Sequence, residues 1–119
     1  MNKRETGNIY EQKADELVLK SGYEILEKNF RSYRGEIDLI CCKDKEIVFI
    51  EVKYRRTKDF GEGFESVDHK KIKKIYRTAQ LYISNIKDQS YTYRFDCISF
   101  LNDKPKWMTN VIWGDEFGL

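Results

Sequence analysis

Gly35-Glu36-Ile37-Asp38-Leu39-Ile40 and Val48-Phe49-Ile50-Glu51-Val52-Lys53 are the two runs that decide how this chain is read. Apolar and β-branched residues dominate both, neither has an internal Pro or Gly, and each predicts a strand. Each also carries charge where a buried strand should carry none. Side chains on a strand alternate faces, which puts Glu51 and Lys53 on the side of Ile47 and Phe49, with Val48, Ile50 and Val52 on the other. The same alternation puts Asp38 with Glu36 and Ile40. Lys43-Asp44-Lys45 suits a tight hairpin between the runs. An antiparallel pair would then bring Asp38, Glu51 and Lys53 onto one face. Two carboxylates and an ammonium on neighbouring strands suit a divalent-metal site with a cationic assistant.

Upstream, Tyr10, Ala14, Leu17 and Val18 form an apolar stripe at helical spacing. The stripe predicts a helix from about Glu5 to Ser21, with Gly22 as its stop. Glu11 lies at the edge of that stripe. It is either an exposed flank residue or a third carboxylate reaching toward the strand site. Tyr23 to Arg31 predicts the first strand, and Ser32-Tyr33-Arg34-Gly35 a turn. After the two central strands, a polar loop from Arg56 to Glu65 carries Phe60 and Phe64, as staples to the core or as stacking surfaces.

Downstream, Ile72, Ile75, Tyr76, Ala79, Tyr82, Ile83 and Ile86 share one face of a second helix, with Ser66 or Asp68 as its cap. Lys70, Lys73, Lys74 and Arg77 form a stripe almost opposite, either a solvated face or a surface for phosphates. Cations near the start of a helix sit at the unfavourable end of its dipole, and Lys70 and Lys71 are placed there; a polyanion would offset that cost. Tyr91 to Phe100 and Lys106 to Trp113 predict two more strands, joined by a turn at Asn102-Asp103-Lys104-Pro105, and a short acidic tail follows. The order helix, three strands, helix, two strands predicts a three-strand meander, a parallel crossover through the second helix, and an α/β sandwich around a mixed sheet.

At 119 residues, with 40% hydrophobic and 14% aromatic content, the chain is expected to form a single folded domain over 1–119. No apolar run reaches the roughly 20 residues of a membrane helix, and the polar start lacks a signal-peptide core. A cytoplasmic location without membrane association is expected. Cys41, Cys42 and Cys97 are odd in number and lie in strand-like runs, which predicts reduced core thiols. With His69 as the lone histidine, a zinc centre is disfavoured. A net charge of +2, from 22 basic and 20 acidic residues, implies no partner by itself.

The strand residues suit phosphodiester hydrolysis. Asp38 and Glu51 are ligands of the right type for Mg²⁺ or Mn²⁺, and the Val52 carbonyl would complete the shell. Lys53 would orient the attacking water or stabilise the transition state. The plainer alternative is an exposed edge strand on which Asp38 is a cross-strand salt-bridge partner worth under about 1 kcal/mol.

The runs Asn29-Phe30-Arg31, Gly35 to Ile40 and Val48 to Arg55 resemble the YraN-like family of small bacterial proteins. The similarity extends to Gly7, Glu11 and Ala14 upstream, and downstream to Phe60-Gly61, Lys70 or Lys71, Ala79 and Arg94-Phe95-Asp96. That family is similar to the PD-(D/E)XK nucleases, particularly the archaeal-type Holliday junction resolvases. The resemblance implies a restriction-endonuclease-like sandwich, a central mixed sheet with αβββαβ core order plus a C-terminal strand. It implies Asp38, Glu51 and Lys53 as the catalytic motif and Glu11 as a further metal carboxylate. Ile37 stands where the superfamily's name has proline, a departure that resolvase-like members share. The expected activity is Mg²⁺- or Mn²⁺-dependent endonucleolytic cleavage of DNA, branched or damaged, with RNA as another conceivable substrate. Arg55, Arg56, Lys70, Lys71, Lys73 and Lys74 are candidate phosphate contacts, and a homodimer is implied because resolvases act in pairs. The rival is a nucleic-acid-binding module that keeps the fold without turnover.

Overall fold

A computed structural model describes residues 3–55 and 69–111. The expected loop phenylalanines, the helix caps Ser66 and Asp68, Arg56 and the acidic tail lie outside the described residues. The elements run α1 (Lys3–Lys20), β1 (Glu24–Ser32), β2 (Gly35–Lys43), β3 (Glu46–Arg55), α2 (His69–Ser84), β4 (Thr92–Leu101) and β5 (Lys104–Met108). The strands lie side by side in chain order in one sheet. Every neighbouring pair is antiparallel except β3 and β4, which run parallel across the α2 crossover. The expected mixed α/β sandwich is therefore the observed one, and it is compatible with the restriction-endonuclease-like fold.

Local chemistry sets the boundaries. Gly22 takes φ 91° and closes α1 in a Schellman arrangement, with Gly22 N donating to Leu19 O at 3.0 Å and Tyr23 N to Val18 O at 3.0 Å. Asp44 and Lys45, at φ 51° and 65°, make the two-residue turn between β2 and β3. Asn102 and Asp103, at φ 49° and 70°, do the same between β4 and β5. The last turn is thus shorter than the expected four residues, and β5 begins at Lys104. Pro105 pairs with Phe100 on this edge strand, where a missing N–H is tolerated.

Two apolar layers flank the sheet. Ala14 and Val18 of α1 pack on Leu39, Cys41, Val48, Ile50, Ile98 and Phe100. Ile75 and Ala79 of α2 pack on Ile37, Ile40, Ile47, Phe49 and Phe95. The three cysteines are free, with Cys41 and Cys97 buried, and burial pushes the Cys41 thiol up to about 12 and that of Cys97 to about 11. They are inert packing groups.

Asp96 anchors the β4–β5 edge. Its side chain is wholly buried and accepts from Arg94 Nη2 at 2.9 Å, Trp107 Nε1 at 2.8 Å and the Asn110 backbone N at 3.1 Å. Arg94 in turn donates to Glu46 Oε1 at 2.6 Å and to the Tyr23 hydroxyl at 3.1 Å. Three strands, the residue that leads into β1 and the segment after β5 meet in this network. Removing one member of a buried pair strands its partner. We expect Asp96→Ala to lower stability in urea unfolding by about 3–5 kcal/mol; an unchanged midpoint would refute this role.

Candidate active site

The site forms where β2 and β3 part. Their pairing runs from Lys43↔Glu46 to Leu39↔Ile50 and stops one pair short of Asp38 and Glu51. Beyond that point the Val52 N–H, instead of finding a strand carbonyl, donates to Asp38 Oδ2 at 2.8 Å. A side-chain carboxylate thus takes the place of a ladder acceptor and is fixed by backbone. On the other flank, Asn29 lies opposite Asp38, between Lys28↔Leu39 and Phe30↔Ile37. It adopts φ 54°, a left-handed conformation that asparagine accepts more readily than most residues.

Strict alternation fails here. Ile37 and Ile40 both pack in the α2 layer, whereas Leu39 packs in the α1 layer; alternation would pair Ile37 with Leu39. The side-chain direction switches across Asp38, so the expectation that Asp38 simply shares a face with Glu36 and Ile40 does not survive. In β3 alternation holds, with Val48 and Ile50 in one layer and Ile47 and Phe49 in the other. Glu51 and Lys53 accordingly line a cavity of about 20 Å³ beneath α2, together with Lys71, Ile72 and Cys97.

The charges are poised rather than paired off. Glu51 Oε1 is buried and has no hydrogen-bond partner. Burial first, and the negative charge of Asp38 second, push the Glu51 carboxyl up to about 8, against the pull of Lys71. Asp38 is also raised, mainly by burial, while the Val52 N–H restrains it. Lys53 is half-buried; burial and then the neighbouring Lys71 hold its ammonium below the usual range. Acids pushed up and a lysine pushed down, within one cleft, mark this as a candidate functional site.

The donor set fits a hard divalent cation. Carboxylate oxygens are its preferred ligands, and a buried oxygen without a proton donor lacks the partner that such an ion would supply. Among the described residues no three His, Cys, Asp or Glu side chains gather closely enough to hold an ion. Asp38 and Glu51 therefore stand as a pair, and Glu11 does not join them in a cluster. Glu11 is half-buried on α1, with its carboxyl raised by burial and then by the charges of Asp38 and Glu36. Two protein carboxylates suit Mg²⁺, which usually keeps several waters.

The candidate phosphate contacts divide. Lys71 reaches the cavity and acts on Asp38, Glu51 and Lys53 through its charge. Lys70, Lys73 and Lys74 are exposed on α2. The sequence held the signal: Lys71 precedes Ile75 by four residues and Ala79 by eight, on the helix face turned to the sheet. Arg55 ends β3 half-buried, and Arg56 lies outside the described residues.

A five-stranded mixed sheet between two helices, with acids where its β2–β3 pairing ends, makes this an α/β protein whose architecture is compatible with the restriction-endonuclease-like fold. The chain belongs to the family described as "Uncharacterised protein family UPF0102", which it matches over residues 10–100. It is 53% identical over 119 residues to a UPF0102 protein of Fusobacterium nucleatum, covering 100% of both chains. It is 44% identical over 111 residues to one of Sulfurihydrogenibium sp., covering 93% of this chain and 96% of that one. A third, from Caldicellulosiruptor saccharolyticus, is 43% identical over 105 residues, covering 87% and 89%. The YraN-like resemblance and its resolvase-like superfamily are thereby established.

The buried carboxylate has a consequence for stability. The folded-state pKa of Glu51, about 8, lies above its ordinary 4.5. Its contribution is therefore fully present below pH 4.5 and lost as pH rises through 8. Glu51→Gln should flatten that decline and exceed wild type at pH 9 by about 1–3 kcal/mol in urea melts. Parallel pH profiles for the two proteins would contradict it.

Proposed function

We propose that this protein is a Mg²⁺- or Mn²⁺-dependent endonuclease that hydrolyses phosphodiester bonds in DNA, with branched or damaged DNA as its substrate class. The supporting observation is the unpartnered, buried Glu51 Oε1 beside Asp38 and Lys53. A desolvated carboxylate oxygen without a partner costs a structural protein stability, whereas a metal-dependent hydrolase can use it as a ligand. The cytosol is the proposed location; no helix among the described residues is long and apolar enough to cross a membrane. A homodimer, as in resolvases, would offer two such sites to a branch.

Each residue has a role in this reading. Asp38 and Glu51 hold the ion, Asp38 with its orientation locked by the Val52 N–H. Glu11, from the α1 side, adds negative charge that strengthens cation attraction to Asp38. When bound, Mg²⁺ or Mn²⁺ supplies charge neutralisation on phosphate oxygens and a lower pKa for water. Lys53 presents a partly desolvated ammonium where negative charge grows in the transition state, and its depressed pKa lets its proton move more readily. Lys71 adds a second positive charge from the helix above. Ile72 and Ile75, on the same helix, line the cavity and keep the local dielectric low, which strengthens each of these interactions.

Purified protein should nick branched, flapped or duplex DNA with Mg²⁺ or Mn²⁺ and not in EDTA. Lys53→Ala should lower the rate by about 10²-fold or more, and Asp38→Asn or Glu51→Ala should reduce it to background. Mn²⁺ should also raise the melting temperature of wild type but not of Glu51→Ala, by mass action on the folded state. Equal, metal-independent behaviour of wild type and variants on all these DNAs would refute the nuclease. Salt-dependent DNA binding without cleavage would instead identify a binding module.

A further inference from the structure

The β1–β2 hairpin carries its least buried aromatic at its tip. Tyr33 is 87% exposed, so its ring contributes nothing to the core. It is nonetheless held. Arg34 Nε donates to the Tyr33 hydroxyl at 2.8 Å, and the guanidinium carbon lies 4.9 Å from the ring centroid.

The tip is also fixed against α2. The Arg34 backbone N donates to Ser32 Oγ at 3.0 Å. The hydroxyls of Ser32 and Thr78 lie 3.0 Å apart, and Thr78 Oγ1 donates to Lys74 O at 2.8 Å. Because the Thr78 proton is spent on that carbonyl, Ser32 is the donor to Thr78. Thr78 is fully buried, so the relay is anchored at its helix end. Gly35 completes the contact: a Cβ there would stand 3.2 Å from Lys74 Cβ, closer than packing normally allows. Glycine lets the turn rest against the helix.

This places an open aromatic ring and an arginine beside the exposed stripe of Lys73, Lys74 and Arg77 on α2. The hairpin tip stands at the end of β2 nearest Asp38. A basic stripe tracks a phosphate backbone in any nucleic acid. A largely exposed ring, braced by Arg34, adds something else, since it can stack on a base only where that base is not already stacked in a duplex. We infer that the Tyr33–Arg34 tip and the α2 stripe form a docking surface for a single-stranded DNA segment adjoining the cleavage site, with Tyr33 stacking on an unpaired base. The inference rests on the proposed activity for the identity of the polymer, and on the hairpin alone for its single-stranded form. Holding Tyr33 in place beforehand reduces the ordering cost of binding.

The test is a fluorescence-anisotropy titration in EDTA, so a protein that never cleaves still gives a result. The probes are a dT oligonucleotide of about 12 nucleotides, within the range of single-strand sites, and a blunt duplex. Tyr33→Ala should weaken single-strand binding about tenfold and leave both the duplex affinity and the salt dependence as in wild type. Tyr33→Phe, which keeps the ring, should bind like wild type. Lys73→Ala and Lys74→Ala should weaken both probes and each lower the salt slope by about one. The inference is overturned if Tyr33→Ala binds the single strand as well as wild type does, or loses both probes equally. Loss of cleavage with the Tyr33 effect intact would count against the nuclease reading alone.

Discussion

The hydrogen bond from the Val52 N–H to the Asp38 carboxylate is the constraint on which the geometry of the candidate site depends. It occurs where the β2–β3 ladder stops, at Leu39↔Ile50. A backbone donor freed by the parting strands must find a partner, and a carboxylate inside the fork is one of the few that can reach. The same bond orients Asp38, holds it close to Glu51, and spares Val52 an unsatisfied N–H. It leaves nothing for Glu51 Oε1. The fork thus generates one satisfied acid and one poised acid from a single break in pairing.

That break is prepared on both sides. Asn29 takes a left-handed backbone opposite Asp38, which lets both strands change side-chain direction at the same level. Ile37 therefore reaches the α2 layer while Leu39 stays in the other. The core remains continuous on either side of the fork, so the cost of the irregularity falls on the fork itself. Strain and unpaired charge are tolerated in folded proteins where the surrounding packing over-determines them. Here the central strands, each covered by a helix, supply that packing.

Much of this was legible in the sequence, for identifiable reasons. The strands declared themselves by β-branched runs, α2 by its 3.6-residue stripe, and the β2–β3 turn by Lys43-Asp44-Lys45, because these signals are local. Glu51 and Lys53 were placed on the right face because β3 obeys period two along its length. Asp38 was matched to its neighbours by the same rule, and there the rule broke. A left-handed Asn29 on an adjacent strand is a non-local cause that no window around Asp38 contains. The β4–β5 turn was read too long because Pro105 suggested a turn, whereas on an edge strand proline costs no ladder bond. Lys71 is exposed like its basic neighbours, and only its spacing to Ile75 and Ala79 separates it from them as the one that borders the cavity.

Asp96 and Glu51 show why burial alone does not identify a functional acid. Both sit on the central parallel pair, and both belong to runs that the family resemblance picks out. Asp96 receives a guanidinium, an indole N–H and a backbone N–H, so its charge is spent inside the fold and it serves as a structural anchor. Glu51 is surrounded by Asp38, Lys53 and Lys71, none of which satisfies Oε1. The difference lies in what remains available. A saturated carboxylate has little capacity left for a ligand, whereas an unpartnered oxygen in a low-dielectric cleft carries an uncompensated desolvation cost that a cation would relieve. On that criterion the strand fork, and not the more deeply buried Arg94–Asp96 network, is the candidate site.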